Sequence, residues 1–345
     1  MRIALDAMGG DHGPEQTVKG AVDFLREVAD LDVGVILVGD RAALETEAAR
    51  HNYDSHRLEI NHASQLVDQD EKPSRIVKTK PDSSLVRAVQ LVKEGTAQGI
   101  VSAGSTGALL SASLFLLDRI PGVRRPAICT WFPSAKGGFL LCDVGANVNV
   151  RATDLVQFAI MARAYCQHQL NHPNPRIGLV NIGTEASKGN EVTVKAYQLL
   201  SVQVDNFVGN IEARDLFEGH ADVVVCDGFV GNILLKFTEG LVQHLYGWAR
   251  QTVRRHWTSQ LALPLLRPAL VDLIQQLDYA ETGGSPLLGL NGVSIVSHGF
   301  SSAKAIKNAL KTAHRCVTEE LISSITKGIT DHHNRFEEHN AVKES

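Results

Sequence analysis

Several things are missing from this sequence, and each absence narrows what it does. No long apolar run opens it: only Ile3–Leu5 precede a turn rich in glycine and aspartate. That is too short for a signal peptide or a bilayer span, so the chain is expected in the cytosol. Cysteine is scarce and scattered, at Cys129, Cys142, Cys166, Cys226 and Cys316, with no C-x-x-C pair and no zinc spacing to histidine. A metal site is therefore not called for. Cys142 and Cys226 end apolar runs, where a small thiol is core material rather than a nucleophile. Charge of one sign is lacking as well. The formal net charge is -4 over 345 residues, so nothing points to nucleic acid. Three signatures are absent: the G-x-x-x-x-G-K-[ST] phosphate loop, a G-x-G-x-x-G fingerprint after the first strand, and the G-x-S-x-G elbow of serine hydrolases.

What is present is an alternation. Apolar runs at Ile3–Leu5, Val33–Val38, Gly99–Ser102, Phe139–Cys142, Ile177–Asn181, Val223–Cys226 and Val293–Val296 read as strands. Stretches of helical period lie between them. Val18, Ala21, Val22, Leu25 and Val28 share one helix face, with Pro14 as the expected first helical residue. A second helix is expected from Asp82 or Ser83, carrying Leu85, Val89 and Val92. The pattern predicts an α/β protein, a mostly parallel sheet covered by helices on both faces, as one unit over 1–330 with a polar tail at 331–345.

Glycine-rich turns follow nearly every predicted strand: Asp6–Asp11, Ser102–Gly107, Asp143–Asn147, Asn181–Lys188, Asp227–Asn232 and Ser297–Ser302. In an open parallel sheet ligands bind beyond the carboxyl ends of the strands, so these turns are expected to line one crevice. Exposed amides at helix N-termini suit phosphate or an oxyanion, and hydroxyls and lysines add donors. A single such turn is ordinary strand-to-helix chemistry. Six of them argue for anion binding without a protein nucleophile.

These turns carry a resemblance. DAMGGDHGP (Asp6–Pro14), SAGSTGALL (Ser102–Leu110), DVGAN (Asp143–Asn147), NIGTEASKGN (Asn181–Asn190), GNIEARD (Gly209–Asp215), CDGFVGNILLK (Cys226–Lys236) and GGSPLLGLNG with SHGFSSAKAIKNA (Gly283–Ala309) occur in order. Together they resemble the acyl-ACP:phosphate acyltransferase family of bacterial phospholipid synthesis, from Met1 to about Ala313. Ser105 stands where that pattern has asparagine, Ala213 where it has glycine, and Thr282 where it has tyrosine.

The resemblance implies a three-layer α/β/α fold similar to phosphate acetyltransferases and to isocitrate- and isopropylmalate-type dehydrogenases. It implies a homodimer that moves a fatty acyl group from acyl carrier protein to inorganic phosphate, with no cofactor. Its acyl phosphate product would pass to a membrane glycerol-3-phosphate acyltransferase. Asp227, His298 and Lys188 are the expected catalytic groups. Asp6, Gly9, Gly10, Asp11, Ser102, Ser105, Thr106, Asn147, Asn181, Thr184, Asn232 and Lys304 are expected to hold phosphate or the thioester. Asp6, Asp143 and Asp227 each have a plainer reading as helix caps. A CoA-dependent phosphate acyltransferase, a decarboxylating dehydrogenase and a membrane-surface scaffold remain alternatives.

One segment breaks the alternation. Leu241, Leu245, Trp248, Ala249, Val253 and Trp257 form one helical stripe, and Leu266, Leu270, Leu273, Ile274 and Leu277 another. They predict a protruding helical hairpin over 241–277 whose stripes serve a dimer. Its tip, with Leu261, Leu263, Leu265 and Leu266 flanked by Arg254, Arg255 and Arg267, is expected to touch a membrane surface. Lys72, Arg75, Lys78 and Lys80 form one candidate docking face for an acidic carrier, and Arg250, Arg254 and Arg255 another.

Overall fold

A computed structural model describes residues 1–68, 71–255 and 283–344. The first part of the chain forms β1 (Arg2–Asp6), α1 (Glu15–Glu27), β2 (Gly34–Gly39), α2 (Arg41–Ala48), β3 (Leu58–His62), α3 (Ile76–Thr79), α4 (Ser84–Lys93), β4 (Gly99–Ser102) and α5 (Thr106–Leu117). The middle forms β5 (Ala127–Phe132), β6 (Phe139–Cys142), α6 (Ala152–Gln169), β7 (Ile177–Asn181), α7 (Glu191–Gln203), β8 (Phe207–Glu212) and β9 (Val223–Val225). Then come α8 (Gly228–Arg255), β10 (Ser285–Leu288), β11 (Val293–Val296), α9 (Ala303–Thr318) and α10 (Leu321–Glu344).

Among the described residues, eleven strands form one sheet in the order β3-β2-β1-β4-β11-β10-β5-β6-β9-β7-β8. β3, β2, β1, β4 and β11 form one block of mutually parallel strands, and β6, β9, β7 and β8 another. Between these blocks, β10 is antiparallel to both β11 and β5, and β5 is antiparallel to β6. These three reversals give the two parallel blocks opposite polarity along the ladder.

Each face of the sheet has its own core. α1, α6 and α9 cover one face, through Val18, Val22, Phe24, Leu155, Phe158, Ile306 and Leu310. α4 and α5 cover the other, through Leu85, Val89, Leu109 and Ala112. The expected α/β/α layering is therefore present. The predicted stripe of α1 is the buried one, and each large apolar side chain it removes from water contributes about 1.5–3 kcal/mol. Pro14 stands at the N-cap of α1 rather than inside it. Ser83 caps α4, its hydroxyl accepting from the Val86 amide (3.4 Å).

β3, β5, β8 and β10 have no counterpart among the predicted strands. β3 and β8 are sheet edges, half exposed, without a continuous apolar run. β10 is four residues long and contains Pro286. After residue 330 the chain continues as α10, so the polar tail is a helical extension. The first stripe of the predicted hairpin lies on α8. Trp257, the tip (Leu261, Leu263, Leu265, Leu266), Arg267, the second stripe and Thr282 lie outside the described residues.

Candidate active site

The predicted turns gather into two groups, one for each parallel block. In the first, the turns after β1, β4 and β11 pack against one another. Ser102 Oγ donates to Asp6 Oδ2 (2.7 Å) and accepts from the Gly104 amide (3.1 Å). The Asp11 amide donates to the Gly299 carbonyl (2.8 Å), and the Ser297 amide to the Ser102 carbonyl (2.8 Å). Such close approach needs glycine. A Cβ on Gly9 would lie 2.5 Å from Asp6 Oδ2, and Gly10 has a φ of +87°. Asp6 is buried, and its Oδ1 has no hydrogen-bond partner among the described residues. Burial pushes its pKa up, opposed in part by Ser84, Ser102 and the nearby amides of Gly9 and Met8. Asp11, Thr106, His298 and Lys304 are exposed around this group. The Phe300 amide donates to His298 Nδ1 (3.2 Å), and the two rings stack at 5.8 Å. Ser105 caps α5, accepting from the Ala108 amide (3.4 Å). Serine and asparagine both serve there, which makes the departure from the family pattern mild.

The second group lies beyond β6, β9 and β7. Asp143 Oδ1 accepts from the amides of Ile128, Gly145 and Ala146 at 3.0, 3.1 and 3.0 Å. Its Oδ2 accepts from the Asn147 amide (2.7 Å) and side chain (2.9 Å). This carboxylate organises its turn. Burial still raises its pKa against those donors. Asn147 also donates to the Pro126 carbonyl (2.7 Å). Asp227 caps α8, accepting from the Val230 amide (2.9 Å), and Asn232 lies against Gly145. Asn181 donates to the Lys188 carbonyl (2.9 Å), which fixes the turn that carries Lys188. The Lys188 side chain is 49% exposed and 3.9 Å from Glu185, and Thr184 is exposed beside it.

A cavity of about 710 Å³ lies beside the second group. One wall is α5, through Leu110, Ser111, Leu114 and Phe115. The facing wall is Arg124–Pro126 with Ala146 and Asn147, and Pro73–Lys78 closes the cavity. Of the residues expected from sequence, Asn147 lines it directly. Arg119, Arg124 and Arg125 were not anticipated. Their only sequence signal is a basic loop, Arg119–Arg125, following a helix.

The docking faces fare differently. Lys80 is held by Glu71 (2.9 Å) and Asp68 (3.8 Å), whereas Lys78 lines the cavity. All five thiols are buried, and burial drives those of Cys142 and Cys226 well up, as expected of core cysteines. Among the described residues no group of three or more His, Cys, Asp or Glu is placed to hold a metal, and no helix is long and apolar enough to cross a membrane. Phe229, Ile233, Phe237, Leu241, Leu245 and Trp248 form one stripe on α8, each between 42% and 67% exposed.

Comparison with known proteins adds the lineage. Residues 1–324 match the family described as fatty acid synthesis protein. The phosphate acyltransferase of Moorella thermoacetica is 49% identical over 325 residues, covering 94% of this chain and 95% of its own. That of Heliobacterium modesticaldum is 48% identical over 330 residues, covering 95% and 98%. Among solved structures, a phosphotransacetylase from Streptococcus pyogenes superposes with a TM-score of 0.59 at 18% identity, covering 96% of this chain and 94% of that one. This last likeness is one of fold.

Proposed function

The chain belongs to the fatty acid synthesis protein family and is an acyltransferase, and on that premise we propose that it moves a fatty acyl group from acyl carrier protein to inorganic phosphate. A phosphate oxygen attacks the thioester carbonyl, the C–S bond breaks, and acyl phosphate and the protonated carrier thiol leave. The phosphate dianion is itself the nucleophile, so the protein needs only to position it and to stabilise charge. The observation that carries this reading is the character of the two groups of turns. They supply backbone amides, hydroxyls and capping carboxylates, while all five cysteines are buried, Cys226 Sγ donating to the Asp143 carbonyl (3.5 Å).

In this reading the Gly9–Gly10 and Ser102–Thr106 turns hold phosphate, Asp6 fixes the two turns from behind, and Lys188 acts from the second group of turns. Asp227, Asn232 and His298 orient phosphate, stabilise the oxyanion or protonate the departing thiol. Asp11, Asn147, Asn181, Thr184, Ser105 and Lys304 complete the binding surface. The apolar stripe of α8 buries itself in a homodimer, because monomers rarely leave so continuous a patch in water. Leu261, Leu263, Leu265 and Leu266 would rest transiently on the inner face of the cell membrane, where the acyl phosphate passes to a glycerol-3-phosphate acyltransferase.

The test is an assay of the purified chain with palmitoyl-acyl carrier protein and phosphate, following free thiol and trapping acyl phosphate as its hydroxamate. Phosphate-dependent appearance of both products is expected. Thiol release without hydroxamate would mean hydrolysis. Turnover of short acyl-CoA alone would replace the reading with a CoA-dependent phosphate acyltransferase.

A further inference from the structure

The last helix is fastened to two distant parts of the fold. α10 seats Leu321, Ile325 and Ile329 in the core, and most of it lies beyond residue 324, where the family match stops. Its Gly328 meets α6 closely, since a Cβ there would lie 3.2 Å from Ile160 Cγ2. Ile329 meets the 119–125 loop, where a Cβ on Gly122 would lie 3.0 Å from Ile329 Cγ2. Just beyond, α10 reaches the far end of α7. His332 Nε2 lies 3.0 Å from Oε1 of Gln203, the last residue of α7. Asp205 accepts from Arg163 of α6 (3.4 Å) and from Arg335 of α10 (3.5 Å). The other end of α7 follows the turn that carries Lys188, and Asn190 caps it there, accepting from the Thr193 amide (2.9 Å).

We propose that α10 is a pH-dependent strap: at neutral pH it braces α7, and with it the turn that carries Lys188, and on acidification its 332–335 turn lifts away. The groups that face His332 set the direction. Among the described residues these are His333 and Arg335 of α10, Arg163 of α6 and Asp205. Burial first, then the positive charges of His333, Arg163 and Arg335, holds the half-buried His332 below its ordinary pKa of 6.5. Protonated His332 can still donate to Gln203. What protonation adds is a cation beside two arginines that share one exposed carboxylate. The contribution of the strap is therefore full above the unfolded imidazole pKa and is lost as pH falls through the lower, folded one. α7 is one continuous helix from Glu191 to Gln203, so freeing its last turn loosens the segment at its first.

Hydrogen exchange on the full chain, read peptide by peptide at about pH 7.5 and about pH 5.5 and corrected for intrinsic rates, tests the strap without turnover. Protection of residues 329–335 should fall about fivefold at the lower pH, the order of one like-charge contact at a partly exposed site. The 182–190 segment should loosen with it, while β1 and β4 keep their protection. His332→Gln retains a donor for Gln203 without the charge, so both segments should stay protected at both pH values. Asp205→Asn removes the carboxylate between the arginines and should free both already at the higher pH. Asp205 is 68% exposed, so its variant reads the strap even if His332→Gln misfolds, which thermal unfolding reports. Equal protection of 329–335 at the two pH values would overturn the proposal, as would loosening of His332→Gln on acidification or an Asp205→Asn variant as protected as the parent. Release of 329–335 with an unchanged 182–190 segment would overturn it too, because α7 would then need no brace. Loss of β1 and β4 at the same pH would make the change global unfolding and overturn the strap.

Discussion

Ser102 Oγ donates to the buried Asp6 carboxylate across 2.7 Å, tying the end of β4 to the end of β1 where the first group of turns begins. The pair places a carboxyl group at the base of glycine turns that have no room for side chains.

Burial holds the Asp6 pKa above its ordinary value of 3.8, so the folded protein binds that proton more tightly than the unfolded chain does. Its contribution to stability is full below the unfolded pKa and is lost as pH rises through the folded one. Asp6→Asn cannot ionise. Its stability relative to the parent should therefore grow as pH rises above the ordinary carboxyl pKa of 3.8 in urea unfolding. Parallel pH profiles for the two proteins would show that the carboxyl titrates normally.

Gly231 packs its backbone against the Asp143 carbonyl oxygen, leaving no room for a methyl group. Gly231→Ala should cost about 1–3 kcal/mol in chemical denaturation, because two backbones must move apart. A stability within about 0.5 kcal/mol of the parent would mean that the start of α8 yields easily.

Asp227 combines a proposed catalytic role with a cap, accepting from the Val230 amide at 2.9 Å. Asparagine also caps helices, so Asp227→Asn should keep the melting temperature, whereas Asp227→Ala should lose about 1 kcal/mol. If the carboxylate serves the chemistry, kcat falls about a hundredfold or more in both. Full activity in Asp227→Asn would reduce the residue to its cap.

Lys188 stands half exposed on a turn fixed by Asn181. Lys188→Ala should raise the KM for phosphate about tenfold, the size of one hydrogen bond to a charged group. Unchanged phosphate kinetics would remove Lys188 from the site.

The stripe on α8 predicts an assembly. Leu241 and Leu245 are 42% and 50% exposed on its line. The parent should sediment as a dimer and the double variant Leu241→Glu with Leu245→Glu as a monomer. A dimer that survives both charges would place the interface elsewhere.

The sequence by itself determined the local chemistry. Short apolar runs became strands, Ser83 and Ser105 became caps, and glycine marked the turns that must approach one another closely. These features depend on neighbours a few residues away, which a linear pattern records. Tertiary structure alone decided how the strands were ordered. β10, with Pro286 and only four residues, and β5 insert the reversals that split six similar turns into two groups. The same packing brought Lys78, Arg119 and Asn147 around one cavity. Strand pairing between distant segments is selected by the burial and backbone hydrogen bonding of the whole sheet, and no single segment encodes it.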